Sequence, residues 1–329
     1  MKVSVCITVF NEEKTISRLL HALLDQTKKP DEIVIVDGGS TDKTIEIIKH
    51  FQKKDATIKL LVEKCSIAKG RNLAISLSRN EIVALTDAGC EPYLDWLEKL
   101  VYFFKHKEVG IAAGFYDMRT TNPLNKVISC YLGVVEERFD PTSFLPSTRS
   151  VALRKSVWEE LCGFDESLES TGEDTLFFAR AVKQGVKIVR VKEARVVWWE
   201  IGEMNLRTFF KKVFSYAKGD VKTGIWLHPS KGLMSHNIKA VSVFLRYFLF
   251  LFLAFKLFQS FSSYFWVIFV FFLYLIWPIY KWRDVLKERK ERIFLPLVQA
   301  VSDFGIMGGF LAGIWEGLFS IFKISFKIK

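Results

Sequence analysis

Acidic side chains stand at the ends of apolar runs at three places in the first 90 residues. Glu12 follows the first run, Asp37 ends the second, and Asp87 follows the fourth. Apolar runs that alternate with helical stretches predict a largely parallel sheet, whose ligands lie beyond the carboxyl ends of its strands. One Asp at a strand end is more often a helix cap or a turn residue. Three acids together with Lys69 and Arg71 predict a polar ligand that carries phosphates.

The elements that must position these side chains alternate strand and helix over residues 1 to about 200. Strands are predicted at 3–10, 32–36, 58–62 and 82–86, and helices at 16–24, 44–51 and from 69 onward. The dinucleotide fingerprint G-x-G-x-x-G is missing after the first strand, and no P-loop motif occurs. The chain is therefore not expected to be an NAD enzyme or a P-loop ATPase. Acids at strand ends suit hydroxyls, base N–H donors or a divalent cation that bridges phosphates.

Composition excludes several classes of protein. Of the 329 residues, 50% are apolar and 15% are aromatic, which argues against disorder. The five cysteines are scattered and form no C-x-x-C pair, so we expect reduced cytosolic thiols and neither a metal cage nor a disulfide framework. The formal charge is +11, but no aromatic and basic platform for nucleic acid is evident. The basic excess therefore indicates a membrane surface as the partner.

Three apolar segments follow residue 238. Residues 241–258 and 260–280 are long enough to span a bilayer, and residues 294–322 form the third segment. The loop at 281–292 has six basic and three acidic residues, so the positive-inside rule places it in the cytosol. Because no signal-peptide core precedes the first strand, we expect a multi-pass membrane protein whose front domain lies on the cytoplasmic face. The third segment either crosses the membrane or is re-entrant, and the sequence leaves this open.

The third segment carries a row of glycines and one acid. Gly305, Gly309, Gly313 and Gly317 recur every four residues and predict a helical face against which another helix packs closely. Asp303 would be costly at membrane depth, so we expect it to have a polar partner or a lipid head group, or to lie at the interface.

Two domains are predicted, at residues 1–230 and 238–329. Within the first, residues 205–219 form an amphipathic helix whose apolar face is flanked by basic side chains. This pattern is typical of a helix that lies on a bilayer surface, and an ordinary packing helix is the alternative.

Five segments carry a family resemblance by their order along the chain. They are CITVFNEEKTI, EIVIVDGGSTDKT, AKGRNLA, ALTDAGC and GFDESLESTGEDTLFFA. In this order they resemble glycosyltransferase family 2, over roughly residues 3–230, where any one motif alone would be a weak signal. The resemblance implies the GT-A fold, an α/β class with a Rossmann-like mixed sheet that binds a nucleotide sugar, here followed by a C-terminal helical transmembrane region.

The resemblance implies how the donor is held. Phe10, Glu12 and Asp37 would bind the nucleotide base and ribose, and Lys69 and Arg71 would lie near the base and phosphates. UDP is the commonest nucleotide at such sites, so a UDP-sugar is the expected donor.

The metal site departs from the family pattern. Asp87 matches the first acid of the D-x-D motif, but the third position is Gly89, where the family commonly has the metal-binding Asp. A divalent cation, Mg²⁺ or Mn²⁺, is still expected because it stabilises a nucleoside diphosphate leaving group. Asp87 is the first candidate ligand, and Glu91 or His228 would complete the site.

The acceptor chemistry is assigned to an E-D pair. By resemblance Asp174 is the general base that removes the proton of an acceptor hydroxyl during inverting transfer. The alternative is that Glu173 and Asp174 only cap the helix that follows them. For Asp174 we favour catalysis, and for Glu173 the two interpretations are equal.

A hydroxyl of a lipid-linked or membrane-associated glycan is the expected acceptor, since a membrane anchor brings enzyme and lipid together. The polymer-synthase signature Q-x-x-R-W is not matched at 196–199, so a single transfer is favoured. The alternatives are transfer to a polyprenyl phosphate, which needs no base, and a non-catalytic membrane scaffold that binds a nucleotide sugar.

Overall fold

The computed structural model describes residues 1–168, 171–232, 235–257 and 264–327. The described chain forms two compact units, residues 1–119, 140–200 and 229–231 in the first, and residues 120–139, 201–228 and 232–329 in the second. The predicted boundary near residue 230 assigns 120–139 and 201–228 to the front domain, whereas their contacts group them with the C-terminal helices. All five cysteines are free thiols.

An eight-stranded mixed sheet forms the centre of the first unit. The strands are β1 Val3–Val9, β2 Glu32–Asp37, β3 Ile58–Val62, β4 Ile82–Leu85, β5 Cys90–Pro92, β6 Val109–Met118, β7 Val151–Arg154 and β8 Lys187–Trp198. Their order is β3-β2-β1-β4-β7-β6-β8-β5. Strands β1 to β4 are parallel, and β7 is antiparallel to both of its neighbours. The mixed α/β class is therefore confirmed, and each of the four predicted strands is present.

Helices connect the strands and build the second unit. They are α1 Ile16–Leu24, α2 Thr44–Lys54, α3 Ile67–Leu77, α4 Trp96–Val101, α5 Pro123–Leu132, α6 Lys155–Glu160, α7 Glu173–Lys183, α8 Leu206–Thr223, α9 His236–Leu257, α10 Tyr264–Lys281, α11 Arg289–Arg292 and α12 Leu295–Lys327. Helix α1 shows why these segments fold as they do. Ile16, Leu19, Leu20 and Leu23 recur at helical spacing, and all four are buried.

The register of the parallel strands brings the predicted donor residues to one edge of the sheet. Strand β1 lies between β2 and β4, with Val9 paired to Asp37 and Cys6 paired to Leu85. Since parallel strands point the same way, the chain segments that leave β1, β2 and β4 emerge side by side. The hydrophobic core then holds α7 beneath this edge, because Phe177 and Phe178 are fully buried against the sheet.

In the second unit, the glycine face of α12 packs against α8. A Cβ added at Gly309 would lie 2.2 Å from the carbonyl oxygen of Phe214, and one at Gly313 would lie 2.9 Å from that of Lys218. Glycine therefore allows the two backbones to approach closely, as the four-residue spacing predicts. On α8, the apolar side chains of Phe209 and Val213 are buried, and Val213 faces Gly305 of α12. Contact of this helix with a bilayer surface stays a prediction.

Two helices in the described residues are long and apolar enough to cross a membrane, at His236–Leu253 and Arg289–Leu318. A shorter apolar helix covers Phe271–Lys281. The predicted spans extend into residues 258 and 260–263, which lie outside the described residues. Membrane association is suggested by the two helices, and the number of crossings stays a prediction.

Candidate active site

Helix α3 brings Arg71 into the interior of the first unit. The helix begins after Ser66, whose side chain accepts a hydrogen bond from the backbone of Lys69 at 3.3 Å. A Cβ at Gly70 would lie 2.1 Å from the Cγ2 atom of Thr8, so only glycine lets α3 pass this close to β1. The next residue, Arg71, is consequently 5% exposed.

Arg71 joins two of the predicted site segments. Its Nη2 donates to Asp87 Oδ1 at 2.8 Å, just past the end of β4, and its Nη1 donates to Glu173 Oε1 at the start of α7. These carboxylates are 16 and 102 residues away in the chain. The charge of Asp174 also acts on Arg71. One guanidinium thus holds the D-x-D segment and the E-D helix in a single cluster.

The two carboxylates bound to Arg71 respond differently to their surroundings. For Asp87, burial favours the neutral form, but the charges of Arg71 and Arg149 outweigh it and hold the pKa below its ordinary value. For Glu173, burial prevails over Arg71 and the charge of Asp174 adds to it, so the pKa is raised. The Oε2 atom of Glu173 is buried and, within the described chain, has no hydrogen-bond partner. Asp87 is therefore the more firmly ionised of the two.

Asp174 lies at the entrance of α7. The residue before the helix, Gly172, has φ +94°, a left-handed conformation that favours glycine and turns the chain into the helix. Asp174 is half-buried, and its Oδ1 accepts a hydrogen bond from the backbone N–H of Thr175 at 2.7 Å. It lies in the first turn of α7. Asp174 is thus a carboxylate beside Arg71 that is more accessible than Glu173, which is 4% exposed.

The Asp37 turn has one unused acceptor. Asp37 is fully buried, and its Oδ1 accepts from the backbone N–H groups of Gly39 at 2.8 Å and Ser40 at 2.7 Å. Its Oδ2 is buried with no partner among the described residues. An orphan buried carboxylate oxygen is costly unless a ligand donates to it. Phe10, at the neighbouring strand end, is 59% exposed and presents a ring on which a base could stack.

Glu12 lies between the two acidic strand ends. Burial raises the pKa of its carboxyl, a hydrogen bond from Thr15 opposes this, and the charges of Glu200, Asp87 and Asp42 raise it further. The residues predicted to bind the donor base and the D-x-D acid are therefore close enough to interact.

Two of the predicted residues, Lys69 and Glu91, have other partners. Lys69 pairs with Glu63 at 2.7 Å, and Glu91 accepts a hydrogen bond from Trp199 Nε1 at 2.7 Å, with Arg18 3.8 Å away. His228 belongs to the second unit. In residues 1–168, 171–232, 235–257 and 264–327, no group of three or more His, Cys, Asp and Glu side chains could hold a metal ion.

Two residues of the site were missed by the sequence analysis. The charge of Arg149 lowers the pKa of Asp87, as the charge of Arg71 does. The Thr148 side chain hydrogen-bonds the same carboxyl. The Arg149 guanidinium lies 3.8 Å above the ring of Trp198, which orients it. Both residues occur in the turn-rich segment before β7. An Arg between two hydroxyl residues in that segment was the sequence feature that could have identified them.

Two family profiles match the chain, Glycosyl transferase family 2 at residues 4–158 and Glycosyl transferase family group 2 at residues 91–280. Glycosyltransferase AglE of Haloferax volcanii is 29% identical over 68% of this chain and 74% of its own. The O-antigen chain rhamnosyltransferase RfbN of Salmonella typhimurium is 27% identical over 60% of this chain and 66% of its own.

Among solved structures, a mannosyltransferase of Pyrobaculum calidifontis in complex with GDP-Man and Mn²⁺ superposes with a TM-score of 0.53. It is 19% identical, and the match covers 68% of this chain and 62% of that protein. This likeness supports the GT-A fold. The chain spans about two thirds of the length of these relatives.

Proposed function

Because this chain belongs to Glycosyl transferase family group 2 and is a glycosyltransferase, we propose that it transfers one sugar with inversion. The donor is a nucleotide sugar, and the acceptor is a hydroxyl of a lipid-linked glycan at the cytoplasmic face of a membrane. The observation that carries the proposal is the cluster in which Arg71 joins Asp87 to Glu173 beside Asp174. In this cluster a strand-end acid lies next to the helix that carries the proposed base.

The donor binds along the carboxyl edge of the parallel strands. Phe10 stacks on the base, and the unpartnered Oδ2 of Asp37 accepts from a base N–H or a ribose hydroxyl. Glu12 and Asp87 lie toward the ribose and diphosphate. Two arginines, Arg71 and Arg149, act on Asp87 and supply positive charge at the place assigned to the phosphates. UDP is the proposed nucleotide.

A divalent cation fits this site if the phosphates of the donor supply part of its coordination. Mg²⁺ is typically held by one or two carboxylates together with substrate phosphates, so a cage of protein ligands is not required. Asp87 is the residue that would hold it, since Gly89 offers no side chain and Glu91 is engaged by Trp199. When bound, Mg²⁺ or Mn²⁺ would neutralise charge on the diphosphate.

Asp174 is the base that activates the acceptor. The acceptor oxygen bonds to the anomeric carbon, the bond from that carbon to the diphosphate breaks, and the hydroxyl proton passes to the Asp174 carboxylate. Glu173 positions Arg71 through its ion pair and does not touch the acceptor. Of the two acids, Asp174 is the one that is only half-buried.

The membrane supplies the acceptor. Two helices are long and apolar enough to cross a bilayer, and a relative, RfbN, is named for O-antigen chains. Confining the enzyme and a lipid-linked glycan to one surface raises their effective concentration.

The proposal is tested with purified full-length protein in lipid nanodiscs. A panel of UDP-, GDP- and dTDP-sugars is scored by nucleoside diphosphate release, with membrane lipid extract as acceptor and EDTA in a parallel arm. We expect one donor to turn over only when the extract is present, to lose turnover in EDTA, and to give a lipid-extractable product of inverted anomeric configuration. Donor binding without release in any arm would indicate a scaffold, and a retained configuration would contradict the mechanism.

A further inference from the structure

Asn72, the residue after Arg71 on α3, makes four hydrogen bonds outside the proposed donor site. Its Oδ1 accepts from the backbone N–H of Phe164 at 2.8 Å and from Trp158 Nε1 at 3.1 Å. Its Nδ2 donates to the carbonyl oxygen of Phe164 at 2.8 Å and to Glu166 Oε1 at 2.9 Å. A side-chain amide has two N–H donors and an oxygen with two lone pairs, so the hydrogen-bonding capacity of Asn72 is fully used.

The backbone of residues 163–166 lies directly against Asn72. Gly163 has φ +64°, a left-handed conformation that favours glycine, and a Cβ there would lie 2.8 Å from Asn72 Oδ1. Arg180 in α7 donates a hydrogen bond to the carbonyl oxygen of Gly163. The segment 163–166 is therefore attached to α3 through Asn72 and to α7 through Arg180.

Phe164 packs against the beginning of α7. Its ring is buried, and the ring centroid lies 4.5 Å from that of Phe177. Phe177 is three residues after Asp174 in α7, and residues at this spacing are neighbours on one face of a helix. The Arg71 guanidinium lies 5.8 Å from the centroid of the Phe164 ring. Two consecutive residues of α3 therefore hold the beginning of α7, Arg71 by direct contact and Asn72 through Phe164.

Helix α3 is fixed to the sheet independently of Asn72. Gly70 lets the helix pass close to β1, and Arg71 is buried between Asp87 and Glu173. Loss of the Asn72 amide would consequently leave α3 and the acids at the strand ends in place. The part that loses its attachment is the segment 163–166.

We propose that Asn72 is a positioning residue, which sets the place of Asp174 by holding residues 163–166 against α3. That Asp174 is the group to be positioned rests on the proposed function. A displacement of about 1 Å near the reacting groups can cost about 10²-fold in rate. Transfer should therefore depend on Asn72, although its amide acts through Phe164 and touches neither substrate.

Kinetics of the full-length protein in lipid nanodiscs test this role. In Asn72→Ala we expect kcat for nucleoside diphosphate release with lipid extract to fall by about 10- to 10²-fold. The donor Kd, measured by calorimetry, should stay within about threefold of that of the unaltered protein, because only an interaction that matters in the transition state is lost. A change confined to donor binding would overturn the proposal.

Asn80→Ala is the matched control. Asn80 precedes β4, at the edge of the sheet away from the site, and its Nδ2 donates to Ser4 Oγ at 3.0 Å. Its replacement also removes a half-buried amide from the first unit, and it should leave kcat unaltered. Equal kcat values for Asn72→Ala and Asn80→Ala would contradict a positioning role.

Hydrogen exchange measures the attachment of the segment without turnover. The Phe164 N–H donates to Asn72, so exchange at this amide should be at least about tenfold faster in Asn72→Ala and unchanged in Asn80→Ala. Unaltered exchange in Asn72→Ala would also overturn the proposal. The milder Trp158→Phe removes one of the four hydrogen bonds and should change both measurements in the same direction, so it replaces Asn72→Ala if that variant does not fold.

The two proposals fail in different ways. If Asp174 is not the base, Asp174→Asn releases nucleoside diphosphate at an unaltered rate. If only the role of Asn72 is wrong, Asp174→Asn loses release, whereas Asn72→Ala behaves as Asn80→Ala does. If no protein shows release, the exchange of the Phe164 amide still decides whether Asn72 holds the segment.

Discussion

Each compact unit contains a buried carboxylate bound by an arginine, with opposite surroundings. In the first unit Arg71 faces three acids, Asp87, Glu173 and Asp174, and the Oε2 atom of Glu173 has no hydrogen-bond partner in the described chain. In the second unit one acid, Asp303, is satisfied by three donors, Arg246, Tyr274 and Gln299. The same ion pair thus leaves an acceptor unused in the first unit, whereas both carboxylate oxygens of Asp303 have donors. The groups around a pair decide which ligands it favours.

Replacement of the arginine in each unit has the largest expected effect on stability. In Arg71→Met, Asp87 and Glu173 lose a shared buried partner, and we expect the free energy of unfolding to fall by about 3–5 kcal/mol. In Arg246→Met, Asp303 keeps its bonds from Tyr274 and Gln299, so the expected loss is about 1–3 kcal/mol. Unfolding of both variants in detergent checks the order. A larger loss in Arg246→Met would reverse the comparison.

Close backbone packing in the second unit predicts a smaller effect. In Gly309→Ala the new Cβ meets the carbonyl oxygen of Phe214 at 2.2 Å, which requires a shift of the backbone and should cost about 1–3 kcal/mol. Gly308→Ala is the matched control, because its Cβ would meet only the ring of Phe214 at 3.2 Å, which can move. Thermal unfolding of the two variants should differ, and equal transitions would show that α8 and α12 do not pack this closely.

The smallest expected effect is the pH dependence of the free energy of unfolding. It arises from two carboxylates of the first unit. The pKa of Asp87 is lowered from its ordinary 3.8, because Arg71 and Arg149 outweigh burial. A carboxyl whose pKa is lower in the folded state stabilises the fold above its ordinary pKa, and this contribution is lost as the pH falls through the folded value. The free energy of unfolding should therefore decline below about pH 4, and less steeply in Asp87→Asn.

Glu173 has the opposite sign, since burial raises its pKa. Its contribution is present below the ordinary value of 4.5 and is lost as the pH rises through the folded pKa. The free energy of unfolding of Glu173→Gln should not show this loss as the pH rises. Asp95→Asn, which alters an exposed carboxylate paired with Lys99, is the control for both variants, and slopes equal to that control would contradict the assignment.

The sequence predicted the parallel half of the sheet well because each strand there is a continuous apolar run that ends at a polar turn. It also placed Asp37 and Asp87 at the correct edge, since parallel strands share a direction. It did not predict that Arg71 would bind Glu173, 102 residues away, because a basic residue beside a phosphate site and one beside two carboxylates have the same local pattern. Arg149 was missed because its role depends on Trp198, in a distant strand.

The amphipathic helix at 205–219 shows a second limit. Its apolar face and basic flanks fit a bilayer surface as well as a protein surface, and spacing alone does not distinguish them. The four-residue glycine repeat predicts that another helix packs closely against it. The repeat alone does not show which helix this is. In the structure that partner is α8 itself.

Asp174 is proposed to be the base of a transfer whose donor is bound by other residues. Asp174→Asn keeps the shape of the side chain and removes its basicity. Donor binding measured by calorimetry should stay within about threefold of the unaltered protein, while nucleoside diphosphate release with lipid acceptor should fall by about 10²- to 10⁴-fold. Release at an unaltered rate would contradict the account.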